Sequence, residues 1–210
     1  MKRSHSNNEW EGFFEDKMIK IFSEKESVLD IGGGLRVLKE KNNRYAESRE
    51  WLREYVAKVD YKVLDPVDTF HPDIVGDIHA LPLADNSQDA ILCMAVLEHV
   101  ENPIQAMKEM YRVLKPGGYC FIYVPFLYYY HAEKGYYGDY WRFTKDSLAI
   151  LAKPFSHVEI GGVRGALETW IKLSPLGRSK IVQKLAHYFD VLFGKLKTDQ
   201  VSGYNVFLVK

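Results

Sequence analysis

Cysteine is almost missing: only Cys93 and Cys120 occur in 210 residues. Two thiols cannot build a disulfide framework or a four-thiolate zinc site. Both sit inside apolar runs, DAILCMAVL and GYCFIYV, which suits small buried side chains in a reducing compartment. Charge of one sign is also missing, because 28 Lys+Arg balance 28 Asp+Glu. A general nucleic-acid binder needs a basic surplus to neutralise phosphates, so that class is not expected, although a local basic patch stays compatible. No apolar run reaches the ~18 residues of a spanning helix. The N-terminal MKRSHSNNEWEGFF has no apolar stretch behind its Lys and Arg. A cytoplasmic chain without a transmembrane segment is the expectation. Internal repeats, low-complexity tracts and obvious linkers are absent, as is any His/Cys/Asp cluster at metal-ligand spacing, so no metal is expected. What remains is ordinary globular composition, 47% hydrophobic and 27% charged, at a length that suits one domain over residues 1–210.

The periodicities alternate. EWEGFFEDKMIKIFSEK carries Trp10, Phe13, Phe14, Met18, Ile19 and Phe22 at helical spacing, which predicts an N-terminal helix over about 9–25. SVLDI then reads as a buried strand that enters a tight turn at Gly32-Gly33-Gly34. Residues 36–59 read as one helix, or as two broken near Asn42-Asn43. Strands are predicted at 61–65, near 73–77, at 85–97, at 119–125, at 157–163 and at 204–210. A helix starting at Pro103 is predicted to bury Ile104, Met107, Met110, Tyr111 and Leu114 and to end at Pro116-Gly117-Gly118. Another begins after Thr144, a suitable N-cap. Residues 166–197 read as an apolar helical insertion broken at Pro175. The run from Ala90 to Leu97 is continuously apolar, as in a parallel sheet covered on both faces. Strands alternating with helices predict an open α/β sheet, with its ligand at the carboxyl ends of the strands.

The residues at those ends carry the chemistry. Asp30-Ile31-Gly32-Gly33-Gly34 closes the first strand, and glycines there let a ligand approach the backbone. The same bend also serves as an ordinary structural turn, and it lacks the G-x-G-x-x-G spacing of a dinucleotide fingerprint. Asp65 ends the second strand, where an acid can accept from ribose hydroxyls. Gly76-Asp77-Ile78 follows the third; a carboxylate beside an apolar residue can hold an adenine amino group and cover its ring. VLDIGGG, KVLD, GDIHALPLADNSQDAILCMAVLEHVENP and EMYRVLKPGGYCFIYVP together resemble the successive motifs of class I S-adenosylmethionine-dependent methyltransferases, in particular the type-11 group. The resemblance is strong over about residues 28–125 and weaker over 126–163.

It implies a Rossmann-like, doubly wound seven-stranded α/β sheet, mostly parallel with an antiparallel last strand. It implies S-adenosyl-L-methionine as cofactor and methyl transfer to an O or N atom of a small-molecule or glycan-like acceptor. By the same resemblance, Asp30, Gly32, Gly33 and Gly34 line the methionine and ribose portion. Asp65 holds the ribose, Asp77 and Ile78 the adenine, and Ala95 and Val96 pass near the sulfonium. Glu98-His99 matches a family pair, and His99 is read as orienting the helix near Pro103. Two departures stand out. Arg36 occupies the place of the family's third alternate glycine, where it either crowds the loop or meets the cofactor carboxylate. Asp65 lies farther from Asp30 than the usual ~20 residues, which an insertion around 40–58 explains.

Six of the 14 tyrosines fall between Tyr128 and Tyr140, in PFLYYYHAEKGYYGDYWRFTKD. This aromatic loop, about 126–143, is expected either to wall the substrate site or to pack on its own domain. His131 is the candidate general base, with Asp139 beside it as a catalytic candidate. Tyr128, Tyr137, Trp141 and Arg142 are the candidate substrate contacts. Asp139 and Arg142, at i and i+3, could instead pair with each other. The 166–197 insertion could cover the site, form a homodimer contact, rest on a membrane surface or pack as an extra helix pair on the core. A non-catalytic cofactor-binding or regulatory module is the alternative function. A nicotinamide-dependent enzyme is disfavoured by the missing fingerprint.

Overall fold

The computed structural model describes residues 8–39 and 45–210. Seven strands form one sheet: β1 (Ser27–Ile31), β2 (Asp60–Asp65), β3 (Ile74–Val75), β4 (Gln88–Met94), β5 (Leu114–Pro125), β6 (His157–Val163) and β7 (Gly203–Val209). Their spatial order is β3-β2-β1-β4-β5-β7-β6. The pairs from β3 to β5 are parallel, and β7 runs antiparallel to both β5 and β6. This is the predicted Rossmann-like sheet with its reversed last strand.

The continuous apolar run of β4 is explained by what covers it. Successive side chains point to opposite faces. Ala90, Leu92 and Met94 join one core layer with Val28, Phe121 and Phe207, beneath α1 (Glu9–Glu24). Ile91 and Cys93 join the other, with Leu29, Ile31, Cys120 and Ile122, beneath α3 (Pro103–Val113) and α4 (Lys145–Leu151). Both cysteines are free and buried, as expected. In α1, Met18, Ile21 and Phe22 are buried, and Phe13 and Phe14 lay their rings against Phe121 at 6.4 and 5.7 Å. In α3, Asn102 caps the Gln105 N–H and Pro103 occupies the first turn. Its buried face is Pro103, Ala106, Met107, Met110 and Val113, so Ile104 points to solvent, against expectation. Thr144 caps α4 as predicted, accepting from the Ser147 N–H.

The LPLAD and RVLKPGG motifs are held by one clamp. The Arg112 guanidinium donates to Glu109 and Asp85 and to the carbonyls of Leu81 and Leu83. This pair of motifs therefore fixes the loop entering β4 rather than contributing to the chemistry.

Three local expectations fail. The helix predicted over 36–59 is not formed, although 40–44 lie outside the described residues. Arg36 adopts a left-handed backbone, φ +58°, which cannot start a right-handed helix. Only a 3-10 turn at Glu47–Leu52 and one turn of α2 (Arg53–Val56) follow, enough to bury Leu52 and Val56. β4 stops at Met94 because Ala95 turns to φ +57°, and Leu97–His99 winds into a 3-10 turn. Finally, β5 starts at Leu114 rather than 119, with a register shift that lets the intervening residues bulge out.

The rings that attach α1 to the sheet give a direct test. Phe121 is fully buried between α1 and β7. Phe121→Ala should cost about 3–5 kcal/mol in urea denaturation. A loss below about 1 kcal/mol would show that α1 is not packed there.

Candidate active site

The site begins where β1 ends. Gly32 and Gly33 take φ +76° and +58°, conformations that side chains resist. Space is as tight as the backbone: a Cβ on Gly32 would stand 2.5 Å from Val96 Cγ2, and one on Gly34 would stand 2.6 Å from the Met94 carbonyl oxygen. The bend is thus seated on the end of β4. Asp30 braces it from below. Its Oδ2 accepts the Leu35 N–H at 2.9 Å and the Tyr61 hydroxyl at 2.5 Å, with Asp30 fully buried. Burial pushes its carboxyl up to about 6. From the side, the Arg49 guanidinium donates to the carbonyls of Gly34 and Leu35 and lies over the Phe14 ring.

Above the bend lies a cavity of about 700 Å³. Gly34, Met94, Ala95, Tyr123 and Pro125 form its floor at the carboxyl ends of β1, β4 and β5. Arg36, Arg49, Trp51 and the α1 residues Trp10, Glu11, Phe14 and Glu15 also line it, as do Glu98, Tyr128, His131 and Arg164, whose guanidinium lies over the Trp10 ring. Arg36 keeps the left-handed backbone that a glycine would adopt most easily, so the departure changes the side chain and not the turn.

The predicted cofactor acids fall along the neighbouring strand ends. The Gly32 N–H donates to the Leu64 carbonyl, and the Gly76 N–H to that of Asp65, which stitches β1, β2 and β3 into one rim. Asp65 is nearly buried, and its Oδ1 accepts the Val67 N–H. Asp77 is exposed and accepts from the His79 N–H and ring, while Ile78 is buried behind it. Neither acid lines the cavity. Asp30 does not reach it either, since its carboxylate faces into the protein. Of the predicted cofactor residues, Gly34 and Ala95 stand in the cavity itself.

The aromatic loop divides in the same way. Tyr128 and His131 line the cavity. Asp139 and Arg142 form the internal pair: Arg142 donates to both Asp139 oxygens at 2.6 and 2.8 Å and to the carbonyls of Tyr128 and Tyr129. The guanidinium holds the Asp139 carboxyl down at about 2. Asp139 also accepts the His131 N–H, so this pair shapes the loop that presents His131. Trp141 donates its indole N–H to the Val100 carbonyl, and Tyr137 lies against the His99 ring. Both fasten the loop to the 97–100 turn and stay outside the cavity lining.

A cluster that sequence spacing did not show forms at this junction. The carboxylate of Glu98 is 1% exposed, and neither of its oxygens has a hydrogen-bond partner among the described residues. One oxygen lies 3.9 Å from His99 Nε2 and 3.8 Å from His131 Nε2. No spacing along the chain showed this group, because His99 and His131 stand 32 positions apart and only the loop's return brings them together. Arg49, Glu98 and the α1 wall were also missed. Arg49 lies in a charged stretch with no motif, and Glu98 was noted only as half of a family pair.

Residues 29–122 match the family described as methyltransferase domain. Over these residues, just under half of its length, the chain resembles a methyltransferase domain. A crystal structure of an S-adenosylmethionine-dependent methyltransferase from Archaeoglobus fulgidus superposes with TM-score 0.61 at 16% identity, over 94% of this chain and 92% of that one. One from Thermotoga maritima, titled a possible histamine N-methyltransferase, superposes at 0.54 and 15% identity, over 95% and 96%. At such identities these likenesses establish the fold. Demethylmenaquinone methyltransferase of Chlamydia trachomatis is 28% identical over 112 residues, half of this chain and 47% of that protein. An uncharacterised methyltransferase of Schizosaccharomyces pombe is 28% identical over 114 residues, 49% of this chain and 41% of that one. The chain thus matches under half the length of these curated relatives.

The residues around the glycine bend fit S-adenosylmethionine. The bend at Gly32–Gly34 admits no side chain, two guanidinium groups flank its mouth, and acids stand at the next two strand ends.

Asp30 supplies a pH test. A raised carboxyl means that the folded protein favours the protonated acid. Its contribution is full below about pH 4 and is lost as pH rises through about 6, roughly 3 kcal/mol in total. Asp30→Asn, which cannot ionise, should gain on the parent by roughly 2 kcal/mol in urea denaturation between about pH 4.5 and pH 7. A difference that stays flat with pH would show that Asp30 is not held this way.

Proposed function

We propose that this chain transfers the methyl group of S-adenosylmethionine to an O or N atom of a small-molecule acceptor held between the glycine bend and the aromatic loop. The observation that carries this reading is the shared cavity. Gly34, Ala95, Arg36 and Arg49 line it together with Tyr128, His131 and Glu98.

In this reading Arg36 and Arg49 hold the donor's carboxylate, as paired cations hold anionic groups. Asp65 and Asp77 accept from its ribose and adenine, and Ile78 covers the ring. The bound donor supplies a methyl group on a sulfonium, a good leaving group. What the protein adds is chiefly position. Orienting donor and acceptor can lower a barrier by about 7–11 kcal/mol in favourable cases. The α1 wall and the aromatic loop enclose the cavity and keep water from it. The Asp139–Arg142 pair holds the loop backbone so that Tyr128 and His131 face the acceptor.

The aromatic lining, Trp10, Phe14, Tyr123 and Tyr128, suits a planar or ring-shaped acceptor. Relatives named demethylmenaquinone methyltransferase support a quinone-like ring over a glycan.

Thermal shift separates the readings. S-adenosylhomocysteine at a hundred times its Kd should stabilise the protein by about 2.7 kcal/mol, with no shift from NAD. Asp77→Ala should remove the shift and cost the free protein no more than about 1 kcal/mol, the loss of the His79 N–H cap. His131→Ala should keep the shift and slow methyl transfer. An NAD shift, or an undiminished shift in Asp77→Ala, would overturn the assignment.

A further inference from the structure

We propose that Glu98, His99 and His131 bind one divalent first-row transition-metal ion at the acceptor end of the cavity. Each residue offers one ligand atom, and the three lie within 4.8 Å of one another. Both imidazoles are pre-oriented. His99 Nδ1 is 2.6 Å from the Gly138 carbonyl, and His131 Nδ1 is 3.1 Å from that of Tyr129 and 3.2 Å from Asp139. A carbonyl can only accept, so each Nδ1 carries the proton and each Nε2 keeps a lone pair directed at Glu98. A carbonyl or carboxylate behind a histidine in this way is the usual outer support of a metal ligand. Glu98 supplies the second, independent observation. It is a buried carboxylate with no hydrogen bond among the described residues, and a polar group buried in that way is costly.

Metal–ligand bonds of about 2.0–2.2 Å place tetrahedral ligand atoms about 3.4 Å apart. The two Glu98 distances therefore need to shrink by about half an ångström, and the two histidine nitrogens to close from within 4.8 Å. Two imidazoles and one carboxylate select Zn2+, Co2+, Mn2+ or Fe2+ over Mg2+ and Ca2+. Three protein ligands leave a coordination position open, and Glu98 and His131 both line the cavity, where an acceptor oxygen could take it.

The test is Co2+ and Zn2+ binding to metal-stripped protein, by visible absorption and by titration calorimetry, with no methyl donor present. It is thus independent of the methyl-transfer reading. The expected result is one equivalent bound to the parent, and affinity reduced by at least about tenfold in both Glu98→Gln and His131→Ala. Circular dichroism checks that both variants remain folded. No uptake by the parent, or equal uptake by the variants, would overturn the site and leave an imidazolium proton as the partner of Glu98.

A different observation carries a second proposal. We infer that the helical insertion rests on an anionic lipid bilayer. It comprises α5 (Ala166–Leu173), a turn at Pro175–Arg178 and α6 (Lys180–Leu192). Trp170 is 66% exposed, Ile181 74% and Phe193 62%, with Leu185, Tyr188 and Leu192 also open to solvent. A contiguous apolar surface of this extent marks a binding face. The exposed charge on the insertion itself is basic, up to the exposed Asp199 that follows it. Arg178, Lys180, Lys184, Lys195 and Lys197 are exposed, whereas Glu168 and Asp190, the two acids between 166 and 198, are buried. Asp190 is turned inward to cap α5, accepting the Leu167 and Glu168 N–H groups. Exposed apolar side chains interspersed with cations match an anionic membrane surface.

Sedimentation with vesicles decides it. The protein should pellet with vesicles of phosphatidylcholine and phosphatidylglycerol far more than with phosphatidylcholine alone. Ile181→Asp and Lys180→Gln/Lys184→Gln should each weaken the effect several-fold. Absence of pelleting would overturn the proposal. So would a dimer in analytical ultracentrifugation that Ile181→Asp dissociates, because a second copy would then cover this face.

Discussion

The structure depends on one close packing contact, that between the bend at Gly32–Gly34 and the end of β4. Gly34 stands against the Met94 carbonyl with no room for a methyl group, and Val96 fills the space beside Gly32. Asp30 and Arg49 then hold the bend from two sides, one through the Leu35 N–H and the other through two carbonyls. Because Gly34 and Ala95 come from strands paired side by side, fixing this contact fixes the cavity floor. A ligand there meets backbone, and the charged side chains are pushed to the rim.

The second constraint lies in the loop after β5. Its aromatics look like a substrate wall, yet much of the loop is joinery. The backbone N–H groups of Tyr140 and Trp141 donate to the Glu98 carbonyl, and the Trp141 indole to that of Val100. Arg142 gathers Asp139 and three loop carbonyls, those of Tyr128, Tyr129 and Trp141. The outcome is a short arc, Tyr128 to His131, held over the cavity. Preorganisation of this kind lets two side chains take part in chemistry while the other aromatics hold the scaffold.

The sheet was legible because its signals are local. Five-residue apolar runs ending in Gly or Asp mark strand ends directly, and Pro103 and Thr144 mark helix starts. The 36–59 stretch was illegible because charged residues with scattered apolar ones satisfy a helical pattern weakly, and a single left-handed residue, Arg36, overrides it. Within the site, Gly34, Ala95, Tyr128 and His131 were found from strand ends and composition. Asp30 was located correctly but faces inward, since strand alternation sends it toward Tyr61. Arg49 and the pairing of Glu98 with His131 depend on contacts between distant segments, which no spacing along the chain encodes. Asp139 and Arg142 show the opposite limit: the i, i+3 spacing made both the internal pair and substrate contact possible, and geometry chose the pair.

The most direct measurement is a crystal structure with S-adenosylhomocysteine bound. The amino-acid end should lie over Gly34 between Arg36 and Arg49, with the adenosine running along Asp65 and Asp77. Density for the nucleoside elsewhere, or Arg36 and Arg49 turned away from its carboxylate, would contradict the proposed donor site.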